Sequence, residues 1–399
     1  MKKTVCVIGL GYIGLPTASL LATKGYQVLG VDTNLQVVDS INQGNVHIVE
    51  PDLDVLVRSA VNSGNLVAYS EPQPADIFIL AVPTPFRDGK IPDNRFVLAA
   101  TEAICPVLRE GNLVILESTV PVGTTETIVV KTIFEQRADL LGRLAVAHCP
   151  ERVLPGQILR ELIENDRVVG GVDAYSTETA VTFYQEFVNG EVLATDARTA
   201  EMAKLTENSF RDVNIAFANE LSMICDELKI NVWEMIRLAN RHPRVNILNP
   251  GPGVGGHCIA VDPWFIVASA PDTARLIRTA REVNDAKPEW VIDKVLHKAA
   301  RFRQAVVGCL GVTFKADVDD TRESPALDIV RALLRNDQLE VLVHDPYVAN
   351  QREFDVLPLD DVLQRADIIL ILVDHRPYRK LSAAALKEKV VIDTRGMLL

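Results

Sequence analysis

A short apolar run at residues 4–8 stops on Gly9-Leu10-Gly11-Tyr12-Ile13-Gly14 and then gives way to a stretch of helical composition. Few local patterns restrict a fold as tightly as this one. Gly9 permits the sharp turn out of a strand. Gly11 lets backbone come close to a pyrophosphate. Gly14 lets the following helix pack directly on the strand, so that a phosphate stands at the helix N-terminus. Asp32 ends the second apolar run. A carboxylate there accepts hydrogen bonds from the adenosine ribose and repels a 2′-phosphate, which predicts NAD rather than NADP. The plain alternative is a bare glycine turn.

The rest of the first third has the same rhythm. Residues 4–8, 27–31, 76–82, 113–117 and 144–147 are rich in Val, Ile and Leu without alternation, as parallel strands covered on both faces require. Helix-length stretches separate them. Residues 199–229 contain neither Gly nor Pro and predict one helix of about 45 Å at about 1.5 Å per residue. Asn231, with Glu234 three positions on, predicts the cap of a shorter helix. Glycine and proline break residues 243–263. A further helix is expected over 273–300, with Pro288 starting or kinking a segment inside it. The strand-helix rhythm then resumes, with strands over 305–312, 339–343, 367–373 and 390–393. The expected class is α/β: a Rossmann-type domain over residues 1–196, a helical middle over 197–300 and a second α/β domain over 301–399 that echoes the first.

Composition excludes several other classes. The chain has 399 residues, 48% hydrophobic and 24% charged, an ordinary globular balance. Its net charge of −12 argues against a duplex nucleic-acid binder, which wants a basic face, while leaving room for a local basic pocket. The longest apolar runs, 77–82 and 368–373, are far short of the roughly 20 residues that a membrane helix needs. Met1-Lys2-Lys3 leads into no signal-peptide core. The six cysteines contain no C-x-x-C pair and fit neither a disulfide framework nor a zinc site, so a reducing cytoplasm is expected and no metal.

Four further segments carry candidate chemistry. Thr84 and Thr119 stand at the carboxyl ends of two expected strands, the edge where ligands bind, or else are ordinary turn and cap residues. Glu201, Lys204, Asn208 and Arg211 share one helix face, which lines a site or a subunit contact unless it is a solvated stripe. Residues 251–262, GPGVGGHCIAVD, place four glycines in six positions ahead of His257 and Cys258, with Asp262 one turn later. The glycines would let backbone approach a ligand, and a thiol at the start of a helical turn can ionise readily enough to act as a nucleophile. A lone cysteine is otherwise a small buried hydrophobe, and His257 is a base only if it points the right way. Phe314, Lys315 and Arg322 follow the first strand of the last domain, where cations suit phosphate or carboxylate or are plain surface charge.

Taken together these residues resemble the UDP-glucose/GDP-mannose dehydrogenase family of nucleotide-sugar 6-dehydrogenases over essentially the whole chain. The segment CPERVLPG at residues 149–156 is similar to the branch that acts on 2-acetamido sugars, as are residues 201–220 and 241–264. Relatives acting on plain hexoses carry aromatic and aliphatic residues where this chain has Arg152 and Val153. The resemblance implies Cys258 as nucleophile and Lys204 as acid/base and oxyanion group, with Asp262, Asn208 and Thr119 assisting. It implies that Glu151, Arg152, Val153, Lys204, Asn208, Arg211, Gly253, Phe314, Lys315 and Arg395 hold the nucleotide sugar. His242 and Arg244 would serve the same ligand across a dimer. Gly9, Gly11, Tyr12, Ile13, Gly14, Asp32, Thr84, Thr119 and Arg322 would hold NAD. The helical middle would build a homodimer.

The implied reaction is the four-electron oxidation of the C6 alcohol of UDP-N-acetyl-D-mannosamine to the uronate, with release of two NADH. UDP-N-acetylglucosamine is the alternative substrate. A single-hydride hydroxy-acid dehydrogenase would not need Cys258 or a second nucleotide module. A non-enzymatic NAD sensor would need neither Cys258 nor the polar helix face.

Overall fold

A computed structural model describes residues 3–154, 156–349 and 351–398. Met1 and Lys2 of the leader reading and Pro155 of the 149–156 segment lie outside the described residues. The chain divides into two compact units. The first runs to Glu207 and includes Ala268–Ala270; the second takes Asn208–Val267 and Pro271 onward.

The first unit holds ten strands: β1 Thr4–Ile8, β2 Gln27–Val31, β3 Leu66–Tyr69, β4 Ile77–Leu80, β5 Phe86–Arg87, β6 Ile91–Pro92, β7 Leu113–Leu116, β8 Ala145–His148, β9 Arg167–Gly171 and β10 Val192–Asp196. Eight of them form one sheet in the order β10-β9-β8-β7-β4-β1-β2-β3, and β5 pairs with β6 as a small antiparallel ribbon. From β8 to β3 the sheet is parallel. At β9 the chain reverses: β9 runs antiparallel to β8, and β10 parallel to β9. The expected strands are present with ends shifted by one or two residues. The added strands β3, β9 and β10 have physical reasons for escaping notice. β3 and β10 are edge strands with partly exposed residues, and β9 carries Arg167 and two glycines in place of an apolar run. Separate apolar clusters cover the two faces of the sheet, one around Val5, Val28 and Ile79, the other around Cys6, Phe78 and Leu116.

The long helix spans Ala197–Glu227, followed by the helix Val232–Ala239, whose Asn231 side chain accepts from the Trp233 and Glu234 N–H groups. Helix Arg275–Ala299 runs unbroken through Pro288. In the second unit a buried polar network ties the long helix to helix Arg275–Ala299. Arg281 pairs with Asp212 at 2.6 Å, and Asn284 donates to Asp212 at 2.8 Å. Asn219 donates to Asn284 and accepts from the Gly251 N–H at 2.8 Å. The network thereby sets where the glycine-rich segment leaves the helical layer. The last sheet is wholly parallel, in the order β12-β11-β13-β14, from β11 Ala305–Leu310, β12 Leu339–His344, β13 Ile368–Ile371 and β14 Val390–Asp393. No helix among the described residues is long and apolar enough to cross a membrane.

Candidate active site

In the glycine turn after β1, Gly9 and Gly14 have the tight geometry expected of them. Gly9 sits at φ 91°, and a Cβ there would meet the Ala81 carbonyl oxygen at 2.5 Å. A Cβ on Gly14 would lie 1.8 Å from the Gly9 oxygen, so only glycine lets helix Gly14–Thr23 start against this turn. A Cβ on Gly11 would meet nothing within 4 Å, which leaves open space beside that backbone. No side chain caps the helix. Tyr12 is exposed and Ile13 half-buried beside it. Asp32, half-buried, accepts from the Leu10 N–H at 3.1 Å and the Asn34 N–H at 2.9 Å. An open glycine, an uncapped helix start and a carboxylate tied to the turn fit a dinucleotide.

Thr84 and Thr119 are brought together at the carboxyl edge of β4 and β7: the Thr84 hydroxyl donates to the Thr119 carbonyl at 2.6 Å. Ser118 stitches the same loops through the Val82 N–H and C=O. Glu201 is buried and accepts from the N–H groups of Gly123 and Thr125 and from the Thr125 hydroxyl at 2.6 Å. It therefore locks the long helix to the loop after Thr119 and leaves the site face that spacing gave it. Lys204, one turn on, is half-buried, and its ammonium has no hydrogen bond or ion pair among the described residues.

The segment at 149–157 is held at several points. Glu151 accepts from the Arg152 N–H at 2.7 Å and pairs with buried Arg167 at 3.0 Å. Glu50 takes the Gly156 and Ile158 N–H groups. The Arg152 guanidinium forks onto Glu207 at 2.6 and 3.2 Å and reaches the Asp166 carbonyl. Val153 packs on the sheet core. Beneath lie groups that sequence alone did not single out. Burial pushes the Glu117 carboxyl up to about 7 against the pull of Arg167, and Tyr184 donates to it at 2.7 Å. Burial also takes His148 down to about 3 and Cys149 up to about 12.

In the second unit the structure gathers Asn208, Asp262 and Cys258. The Asp262 N–H bonds the Cys258 carbonyl at 2.8 Å, and Asn208 donates to the buried Asp262 carboxylate at 2.5 Å. Cys258 thus opens the turn that becomes helix Asp262–Ser269. All six cysteines lie among the described residues as thiols; five are buried and Cys258 is exposed. The four glycines before it are packed tightly against neighbouring chain. A Cβ on Gly251 would meet Arg395 at 2.5 Å, on Gly253 Pro325 at 2.8 Å, on Gly255 the Glu323 oxygen at 2.2 Å and on Gly256 the Phe314 ring at 3.0 Å. They let the cysteine segment nest against its own unit.

His242, Arg244 and Arg211 are exposed. Arg322 forks onto Asp320, holding that carboxyl below the usual range, with burial opposing and His257 assisting. Arg395 donates to Asp374 at 2.9 Å. Lys315 is exposed, and its ammonium is without a hydrogen bond or ion pair among the described residues. The loop that carries it is tied from below by a buried knot. His375 Nδ1 accepts the Asp317 N–H at 2.9 Å, and Nε2 lies 3.2 Å from Asp345 and 3.3 Å from Thr313. The Thr313 hydroxyl donates to the Lys315 carbonyl at 2.7 Å. Asp345 could have been found in sequence, because it follows its strand as Asp32 follows β2. His375 and Arg167 carry no local signal, since only the fold brings them to these edges.

The comparisons with known proteins agree with this geometry. Residues 3–188 match the NAD binding domain of the UDP-glucose/GDP-mannose dehydrogenase family, 198–286 its central domain and 308–399 its UDP binding domain. The chain is 58% identical over 407 aligned positions to an NDP-N-acetyl-D-galactosaminuronic acid dehydrogenase of Ralstonia solanacearum, covering 99% of this chain and 96% of that one. It is 54% identical to a UDP-N-acetyl-D-mannosamine dehydrogenase of Campylobacter jejuni, covering 94% and 96%. The structure of a UDP-D-ManNAc dehydrogenase from Pyrococcus horikoshii superposes with a TM-score of 0.88 at 38% identity, covering 99% of this chain and 96% of that one. With a Rossmann-type NAD domain, a helical middle and a UDP binding domain in this order, the chain belongs to the UDP-glucose/GDP-mannose dehydrogenase family of NAD-dependent dehydrogenases.

Proposed function

We propose that the protein oxidises the C6 alcohol of UDP-N-acetyl-D-mannosamine to UDP-N-acetyl-D-mannosaminuronate through a thioester on Cys258. The observation that carries this reading is the single exposed thiol, set at the head of a helical turn with Asp262 and Asn208 bonded behind it. NAD supplies the hydride acceptor for both oxidations, and Gly9, Gly11, Tyr12, Ile13, Gly14, Asp32, Thr84 and Thr119 are assigned to hold it. Arg322 keeps the same assignment from the second unit.

Lys204, or a water it holds, takes the hydroxyl proton as the alcohol becomes an aldehyde. The Cys258 thiolate then adds to the aldehyde carbon. The resulting thiohemiacetal again carries a transferable hydride, and its loss leaves a thioester. A water positioned by Asp262 or Thr119 hydrolyses the thioester, releasing the carboxylate and restoring the thiol. Asn208 spends one amide hydrogen on Asp262 and keeps the other for the oxyanion. Lys204 gives the second donor, and one such donor is worth about 3 kcal/mol. Glu151, Arg152 and Val153 shape the sugar end, Gly253, Phe314, Lys315 and Arg395 the nucleotide end, and Arg211, His242 and Arg244 complete the ligand set. Residues 1–196, 197–300 and 301–399 are the corresponding domains. Exposed Phe210, Phe217 and Leu228 on or just past the long helix support a homodimer built on the middle one.

The Ralstonia relative's name supports a second reading, in which the substrate carries N-acetylgalactosamine. NADH release should be compared on UDP-N-acetylmannosamine, UDP-N-acetylglucosamine, UDP-N-acetylgalactosamine, UDP-glucose and GDP-mannose. UDP-N-acetylmannosamine is expected to win by kcat/KM and to yield two NADH per acid. Cys258→Ser should keep NAD and UDP binding and lose acid formation by more than ~10³-fold. One NADH per product, or near-normal acid from Cys258→Ser, would reduce this thiol to a small side chain.

A further inference from the structure

The knot beneath Lys315 has a use that its burial alone does not explain. We propose that His375 is a positioning residue for the nucleotide: its imidazole ties the loop bearing Phe314 and Lys315 to the carboxyl edge of the last sheet and so fixes where the Lys315 ammonium stands. This rests on the reading that Lys315 holds the nucleotide sugar.

Three strand ends meet at this point. Thr313 and Asp317 follow β11, Asp345 follows β12, and His375 follows β13. His375 is fully buried. Because Nδ1 accepts the Asp317 N–H, the ring proton resides on Nε2, which is shared between the Asp345 carboxylate and the Thr313 hydroxyl. Asp345 is saturated in turn by the Val312 N–H at 2.8 Å and the Tyr347 N–H at 2.9 Å. Asp317 takes the Arg376 N–H and the Tyr347 hydroxyl and stands at φ 61°, a conformation that needs such support. Both backbone ends of the turn are therefore fastened to one ring. Thr313 holds the Lys315 carbonyl and His375 the Asp317 N–H, while the Lys315 side chain is left to solvent. A buried, saturated hub under an exposed, unpaired cation is how a rigid scaffold presents a charge to a ligand.

The test measures UDP and NAD binding by calorimetry, together with steady-state kinetics, for His375→Ala, His375→Asn, Thr313→Val and Lys315→Ala. His375→Ala is expected to weaken UDP about tenfold and to raise KM for the nucleotide sugar more than it lowers kcat. NAD affinity should be unchanged. His375→Asn, whose side-chain oxygen can accept the Asp317 N–H, should recover most of the loss. Thr313→Val, which leaves the ring in place, should show a smaller loss of the same kind. If His375→Ala and Thr313→Val bind UDP as the parent does while Lys315→Ala does not, the positioning role is overturned and the Lys315 assignment stands. If Lys315→Ala binds UDP normally, that assignment fails and takes the inference with it. Loss of UDP and NAD binding together, with no recovery in His375→Asn, would make His375 a folding residue and overturn the proposal.

Discussion

The two α/β sheets begin with the same turn and bury its carboxylate to different depths. Gly9 follows β1 and its N–H bonds the Val31 carbonyl; Gly311 follows β11 and bonds the His344 carbonyl. Their φ angles are 91° and 90°. The next N–H, from Leu10 or Val312, goes to the carboxylate at the end of the second strand, Asp32 at 3.1 Å or Asp345 at 2.8 Å. The other oxygen takes the N–H two residues beyond, from Asn34 or Tyr347, at 2.9 Å in both. The difference is what covers the carboxylate. Asp32 is half-buried, and a Cβ on Gly11 in the same turn would meet nothing within 4 Å. Asp345 is buried under His375 and is consumed inside the protein. One backbone device thus carries a half-buried carboxylate in the first sheet, as the proposed NAD contact requires, and a carboxylate buried under a loop-tying histidine in the second.

If the turns divide the ligands in this way, substitutions at equivalent glycines should separate them. Gly9→Ala and Gly311→Ala each force a side chain onto a left-handed backbone, with a Cβ 2.5 Å from Ala81 O or from Val373 Cβ. Each is expected to cost about 3 kcal/mol or more. Binding of NAD should be lost from Gly9→Ala and of UDP from Gly311→Ala, each with the other ligand retained in calorimetry. Loss of both ligands from either variant would contradict the division.

A smaller effect is expected at Asp32. Asp32→Ala should lower kcat/KM for NAD by about 10- to 100-fold, the worth of a charge-assisted hydrogen bond. NADP should be affected less, because the like charge facing its 2′-phosphate is removed. The ratio of the two kcat/KM values, measured in parent and variant, decides the matter. Equal use of both cofactors by the parent would remove Asp32 from the ribose.

The smallest effects are in pH dependence, and their signs oppose. Glu117, at the edge of the first sheet, has its carboxyl raised by burial to about 7. The folded state therefore binds more protons than the unfolded one between about pH 4.3 and 7, and stability falls as pH rises through that window, by at most about 4 kcal/mol. For Asp345 burial acts upward too, but the bonds from His375, Val312 and Tyr347 outweigh it and hold the carboxyl low. Its contribution is present above the unfolded value of about 3.9 and is lost as pH falls through the folded one. Thermal melts should show the parent gaining on Glu117→Gln from pH 7 to 5, and losing ground to Asp345→Asn only below about pH 4. A parent-to-Glu117→Gln difference that stays flat from pH 7 to 5 would mean that Glu117 is ionised when folded.

Most of the architecture was legible because its cause is local. Gly9, Gly14 and Asp32 announce a strand-turn-helix through steric demands that no other residues meet, and the parallel strands announce themselves by apolar runs. What stayed hidden depends on partners distant in sequence. The reversal at β9 is set by pairing, which Arg167 and two glycines do not advertise. Glu201 shares a helical face with Lys204 by spacing, yet its carboxylate ends on Gly123 and Thr125. The glycines before Cys258 are visible as a need for close approach, but whether the neighbour is a ligand or Pro325 and Phe314 is decided by chain some 60 residues away.

The distribution of the thiols has a practical consequence. Cys6 lies in β1 and Cys309 in β11, the first strand of each sheet and an interior one in both; burial pushes them up to about 11 and about 12. A thiol reagent applied to the native protein should therefore register one fast event per chain, at Cys258, and then wait. Mass spectrometry of the slow labels would time the opening of each sheet separately, Cys6 reporting one and Cys309 the other. With no engineered label, the chain carries its own pair of stopwatches for local unfolding.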